Sequence, residues 1–118
     1  MSDKTKKVDG FSFLLQKRGK AVKHLLSFMG ESATHLDDKT KFLLYVMMMT
    51  INWSPRGLTQ YIPKALAAGA SEEEIIDTVL VSYPACGLAK VVDALDLLNG
   101  LPAILEARSA HAATEKSA

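Results

Sequence analysis

The chain has a single cysteine, Cys86, so it can form neither an internal disulfide nor a pair of exchanging thiols. It also has no run of about 18 apolar residues, the length a helix needs to span a bilayer. Charge of one sign is not in excess: 14 basic against 13 acidic side chains leave a net charge of +1. That excludes the strongly basic footprint of a nucleic-acid binder. The early cluster of Lys4, Lys6, Lys7, Lys17, Arg18, Lys20 and Lys23 is not interleaved with aromatics, and reads as a solvated tail and helix face. The basic start lacks the apolar stretch and cleavage site of a secretory signal, so a cytoplasmic protein with no membrane partner is expected. His24, His35 and His111 show no ligand spacing, so no metal or other cofactor is expected. No segment alternates apolar and polar residues as a half-buried strand does.

What remains is helix grammar. Hydrophobic residues make up 48% of the 118 positions and charged residues 23%, ordinary values for one globular domain. The pattern predicts an all-α bundle of about six helices over residues 9–110, between polar tails at 1–8 and 111–118. Asp9 caps a short helix bearing Phe11, Leu14 and Leu15. Val22, Leu25, Leu26 and Met29 recur at the spacing of one helix face, ending at Gly30. Asp37 or Asp38 opens a long helix to Thr50 whose stretch Phe42–Met49 is apolar nearly all round. A chain this short has little interior with which to surround such a helix, which argues for burial between subunits; the rival is one very central helix. Ser54-Pro55 pairs a hydroxyl cap with proline at the first helical position. That helix stops at Gly69, and Ser71 with Glu74 forms a capping box for the next. Ile75, Ile76, Val79 and Leu80 lead to Tyr83-Pro84, where proline kinks or ends the helix. Val91, Val92, Leu95 and Leu98 point inward from the following helix, Gly100 ends it, and Pro102 starts a short last one.

Asp38-Lys39-Thr40-Lys41-Phe42-Leu43-Leu44, Ala65, Gly69-Ala70-Ser71, Glu73-Glu74-Ile75, Asp77, Tyr83 and Gly87 together resemble the carboxymuconolactone decarboxylase and AhpD-like (alkylhydroperoxidase D-like) superfamily, over roughly residues 22–98. The resemblance implies an AhpD-like helical subunit assembling as a homo-trimer or homo-hexamer. The redox branch of that family carries Cys-x-x-Cys-x-x-x-His on the helix before the glycine. Counted back from Gly69, those positions are Ser54, Gly57 and Tyr61, and a proton-relaying glutamate in the preceding helix falls at Phe42. Without a low-pKa thiolate and a resolving thiol, dithiol peroxidase chemistry is not expected. The decarboxylase branch lacks the cysteines but keeps the histidine, and this chain has tyrosine there.

Each candidate residue has a chemical and a structural reading. Ser54 is a nucleophile only with a base that the sequence does not nominate; as an N-cap it needs only its own helix. Arg56, in the first turn of that helix, would hold a small anionic ligand together with the free amides, or else faces solvent or a neighbouring subunit. Gly57 and Tyr61 share a face with Ser54; they open room for a ligand and donate to a reacting oxygen, or they serve close packing. Trp53, Tyr83 and Cys86 would wall a substrate pocket, Cys86 also reading as a small buried hydrophobe. Two functions follow: a cofactor-free lyase- or isomerase-type enzyme acting on a small carboxylated metabolite through Tyr61, Arg56 and Ser54, or a non-catalytic oligomeric ligand-binding or structural protein with a degenerate active site.

Overall fold

Short polar side chains set the helix starts. In a computed structural model, which describes residues 9–117, eight α-helices follow one another with no strand among the described residues. Asp9 accepts the Ser12 amide at 2.9 Å and opens α1 (Gly10–Lys17), which is followed by α2 (Gly19–Ser32). Asp37 accepts the Thr40 amide at 2.7 Å and opens α3 (Asp38–Ile51). Ser54 caps α4 (Pro55–Ala67), with proline in its first turn. Ser71 and Glu74 exchange amide bonds at 3.1 and 2.9 Å to open α5 (Glu72–Val81). Each of these caps satisfies first-turn donors that the helix leaves unpaired. Pro84 lies in the first turn of the short α6 (Tyr83–Cys86), so the expected break there is a complete one. Gly87, at φ 85°, turns the chain into α7 (Leu88–Gly100), and Pro102 starts α8 (Pro102–Ser117). The expected tail at residues 1–8 lies outside the described residues.

The chain divides into two compact units between His35 and Leu36. In the first, α1 packs on α2, and of their apolar side chains only Val22 is buried. Leu25 and Leu26, on the same apolar face as Val22, are 45% and 53% exposed. Two helices alone enclose little interior, so an apolar stripe does not guarantee burial within its own unit.

The second unit is a bundle of α3 to α8. Its core joins Val46 of α3, Leu58, Ile62 and Ala65 of α4, Ile75 and Val79 of α5, Val91, Ala94 and Leu98 of α7, and Ile104 of α8. Helix α3 lies among α4, α5, α6 and α7, yet only Val46 and Thr50 along it are buried. Thr50 is the polar exception, and its hydroxyl donates to the Val46 carbonyl at 2.9 Å. Leu44 and Met48 are exposed at 38% each, so this largely apolar helix is not fully enclosed. Val92, expected inward, is exposed, as is Leu80 on α5. Neither helix is surrounded on all sides, so the inward set narrows to Ile75 and Val79 on α5 and to Val91, Ala94 and Leu98 on α7. Helix α8 continues to Ser117, past Ala110 where the sequence pattern places a tail. Arg108 ties its middle down, donating through Nε and Nη2 to the Glu72 carboxylate at 2.9 and 2.6 Å and to Asn99 at 3.0 Å. No helix among the described residues is long and apolar enough to cross a membrane.

Candidate functional site on the α3–α4 pair

The turn between α3 and α4 decides which side chains meet. Its pivot is Trp53, the one described non-glycine residue in the left-handed region, at φ 51°. That conformation costs roughly 1–2 kcal/mol for a residue with a Cβ. It is held by the Trp53 amide donating to Thr50 at 3.1 Å, the Ser54 amide donating to Met49 at 2.8 Å, and the ring packing against the core. At the end of α3 the Lys90 ammonium donates to the Ile51 carbonyl at 3.0 Å, placing a cation where the helix dipole is negative. The chain therefore reverses sharply, and α4 runs back along α3 in the most extensive helix pairing of the molecule.

The first turn of α4 then places Ser54 and Gly57 against α3. The Ser54 hydroxyl oxygen accepts the Gly57 amide at 3.0 Å and so serves as the cap of α4. Gly57 is buried, and a Cβ built there would lie 2.2 Å from the Met49 sulfur and 2.7 Å from its Cγ. Glycine is thus needed for close approach of α4 to α3, and the space it leaves belongs to Met49.

One turn further along, Tyr61 meets two rings of α3. Its centroid is 4.8 Å from that of Tyr45 and 6.3 Å from that of Phe42, with interplanar angles of 27° in both pairs. Phe42 and Tyr45 are themselves 6.3 Å apart. These are the separations at which aromatic pairs attract beyond their area burial. The Lys64 ammonium lies 5.4 Å from the Tyr61 centroid and 6.0 Å from that of Phe42, within cation–π range of both. Burial disfavours the phenolate and pushes the Tyr61 hydroxyl above the ordinary phenol range, with Tyr45 adding to the effect. Helix α4 continues through Pro63, whose missing N–H and bulky ring disfavour a helix interior; the buried neighbours Ile62 and Ala65 hold the segment in place.

The tertiary structure thus brings together Phe42 and Tyr61, nineteen residues apart, and joins Ser54 to Gly57. It does not gather the remaining candidates with them. Arg56 is exposed in the first turn of α4 and forms no ion pair among the described residues. Tyr83 is 54% exposed on α6 and stacks on no described ring. Cys86 is half-buried, and its thiol donates to the carbonyl of Ser82, just before α6, at 3.3 Å. Three contributors escaped the sequence reading: Tyr45, Met49 and Lys64. Two carried a signal, because Tyr45 lies three residues after Phe42 and Lys64 three after Tyr61, the spacing of helical neighbours. Among the described residues, no cluster of three or more His, Cys, Asp or Glu side chains is placed to hold a metal ion.

An all-α bundle organised around the tightly packed α3–α4 pair is the class of protein these observations define. The chain belongs to the carboxymuconolactone decarboxylase family, whose model matches residues 19–100. That match begins with the first residue of α2 and ends with the last of α7, leaving α1 and α8 outside it. No curated protein and no solved structure matches the chain.

Proposed function

We propose that the protein is a non-catalytic, homo-oligomeric member of its family in which the former reaction site has become part of the helix packing. The observation that carries this reading is the Phe42–Tyr45–Tyr61 ring cluster. It occupies the two positions that the redox branch gives to glutamate and histidine. The cysteine positions are spent in the same way: Ser54 caps α4, and Met49 fills the space beside Gly57. Cys86 has no second thiol in the chain to exchange with, so dithiol peroxide reduction has no reactants within one subunit. Self-association is supported by Leu44 and Met48, apolar side chains that the subunit leaves open on its central helix.

A second reading rests on Tyr61. Its raised pKa makes it a poor base at neutral pH but keeps its proton, as a hydrogen-bond donor to a developing enolate requires. Exposed Arg56 would then hold the carboxylate of a small metabolite. Native mass spectrometry under conditions that retain small molecules separates the two. An oligomer without adduct is expected. A reproducible extra mass of a carboxylated compound, lost in Arg56→Ala, would overturn the non-catalytic reading in favour of the second.

A further inference from the structure

The first two helices carry a surface that the ring cluster does not use. At the pitch of an α-helix, Val22, Leu25, Leu26, Phe28 and Met29 fall within an arc of about 160° on α2. Lys20, Lys23, His24 and Glu31 share the opposite arc. Of the apolar set only Val22 is buried; Phe28 is 67% exposed, and Phe11, Phe13, Leu15, Leu25 and Leu26 are about half exposed. Three of the four phenylalanines of the chain therefore stand open on α1 and α2. Charge is divided along the chain in the same way. The unit Met1–His35 holds seven basic side chains against three acidic ones, a net charge of +4, while the remaining residues hold seven against ten, a net of −3. Among the described residues, Lys17, Arg18, Lys20 and Lys23 form no ion pair. The Lys17 ammonium lies instead 5.8 Å from the Phe13 ring centroid.

We infer that α1 and α2 dock on an anionic lipid surface, their Phe and Leu side chains entering the acyl boundary while Lys17, Arg18, Lys20 and Lys23 meet the headgroups. Lysine on the polar face with Phe and Leu on the other is the make-up of a helix that lies in a membrane interface. The span criterion concerns crossing a bilayer; resting on one asks for amphipathic helices instead of long apolar ones. Charge decides the occupant. The matching unit of a second copy would bring another +4 against the first, and a neutral apolar partner would leave the cations without counter-charge. Anionic headgroups over an acyl layer supply both complements at once, each basic side chain being attracted within a Debye length of the surface. Helix α1 lies outside the matched family segment, so its share of this surface is not part of the family pattern. The inference is independent of how the ring cluster is read.

The test is flotation of the full chain with phosphatidylcholine vesicles holding about one-third phosphatidylserine, against pure phosphatidylcholine, at low and high salt. The expected result is co-flotation with the anionic vesicles alone, reversed by high salt. Leu25→Ser with Phe28→Ser, and separately Lys20→Glu with Lys23→Glu, should each weaken it at least about tenfold, at unchanged helicity by circular dichroism. Phe28→Trp keeps an aromatic ring and should still float, its added indole emission moving to shorter wavelength when anionic vesicles are present. That variant decides the matter should the paired ones misfold: emission unmoved by vesicles overturns the inference. So does a wild type that stays off anionic vesicles, or flotation that both paired variants retain. A wild type that stays off vesicles, and whose oligomer mass in lipid-free buffer falls in the Leu25→Ser/Phe28→Ser variant, would assign the face to a second copy instead.

Discussion

Replacing Gly57 with alanine tests the claim that Met49 has taken the space beside it. The added Cβ would meet the Met49 sulfur at 2.2 Å and its Cγ at 2.7 Å, so Met49 must leave its present rotamer. Overpacking of this kind costs about 2 kcal/mol. Alanine is favoured over glycine in a helix by about 1 kcal/mol, and the position carries no positive φ that would penalise a Cβ. The net expectation is a loss of about 1 kcal/mol, or about 4 °C in Tm for a domain of this size. In a Met49→Ala background the obstructing atoms are gone. The Ser54 hydroxyl, 3.0 Å from the built Cβ, then asks for a shift of only a few tenths of an ångström. There the same Gly57→Ala change should become neutral or stabilising by up to about 1 kcal/mol, a coupling of about 2 kcal/mol between the two positions. Urea unfolding of the four proteins at one fixed concentration measures it. Equal effects of Gly57→Ala in both backgrounds would refute the filled-site reasoning, because the glycine would then serve the backbone and not the neighbouring side chain.

Other outcomes follow from the same geometry. Ser54→Ala should lower stability by about 1 kcal/mol through loss of the Gly57 amide cap, whereas Ser54→Asp, which restores an acceptor, should recover most of it; equal losses in both would show that the hydroxyl acts elsewhere. Ultraviolet titration should show Tyr61 ionising above the ordinary phenol range, a late step that Tyr61→Phe removes at nearly unchanged Tm. If the late step persists, the assignment to Tyr61 fails. Arg108 holds the Glu72 carboxyl below its usual range, so this pair contributes stability above the ordinary carboxylate pKa that is lost as pH falls through the folded value. Arg108→Ala should therefore flatten the decline of Tm on acidification, modestly because the pair is solvent-accessible; an unchanged slope would mean that the pair is not maintained in solution.

The helix boundaries were legible because they rest on local chemistry. Asp9, Asp37, Ser54 and the Ser71–Glu74 box each satisfy amides within their own first turn, so a few neighbouring residues suffice to place them. The resemblance carried by Gly69, Ser71 and Glu73–Glu74 also pointed to the family correctly, since helix ends recur at fixed offsets along the chain. Side-chain burial was less legible. Leu25, Leu80 and Val92 have the periodicity of inward residues and are exposed, because a helical stripe wide enough to read as apolar exceeds what one neighbour covers.

The candidate site divides along the same line. That Ser54, Gly57 and Tyr61 share a face of α4, and that no second thiol is available, followed from spacing and composition alone. That Tyr61 lies against Phe42 and Tyr45, and that Met49 closes the room beside Gly57, depended on how α4 folds back on α3. The reversal hinges on Trp53 held at φ 51°, a conformation that local propensity disfavours and that only surrounding contacts maintain. Caps, breaks and the all-α class are short-range properties, written where they act. Whether a side chain becomes a reactive group or packing material depends on neighbours brought from elsewhere in the chain, and those meet it only once the chain has folded.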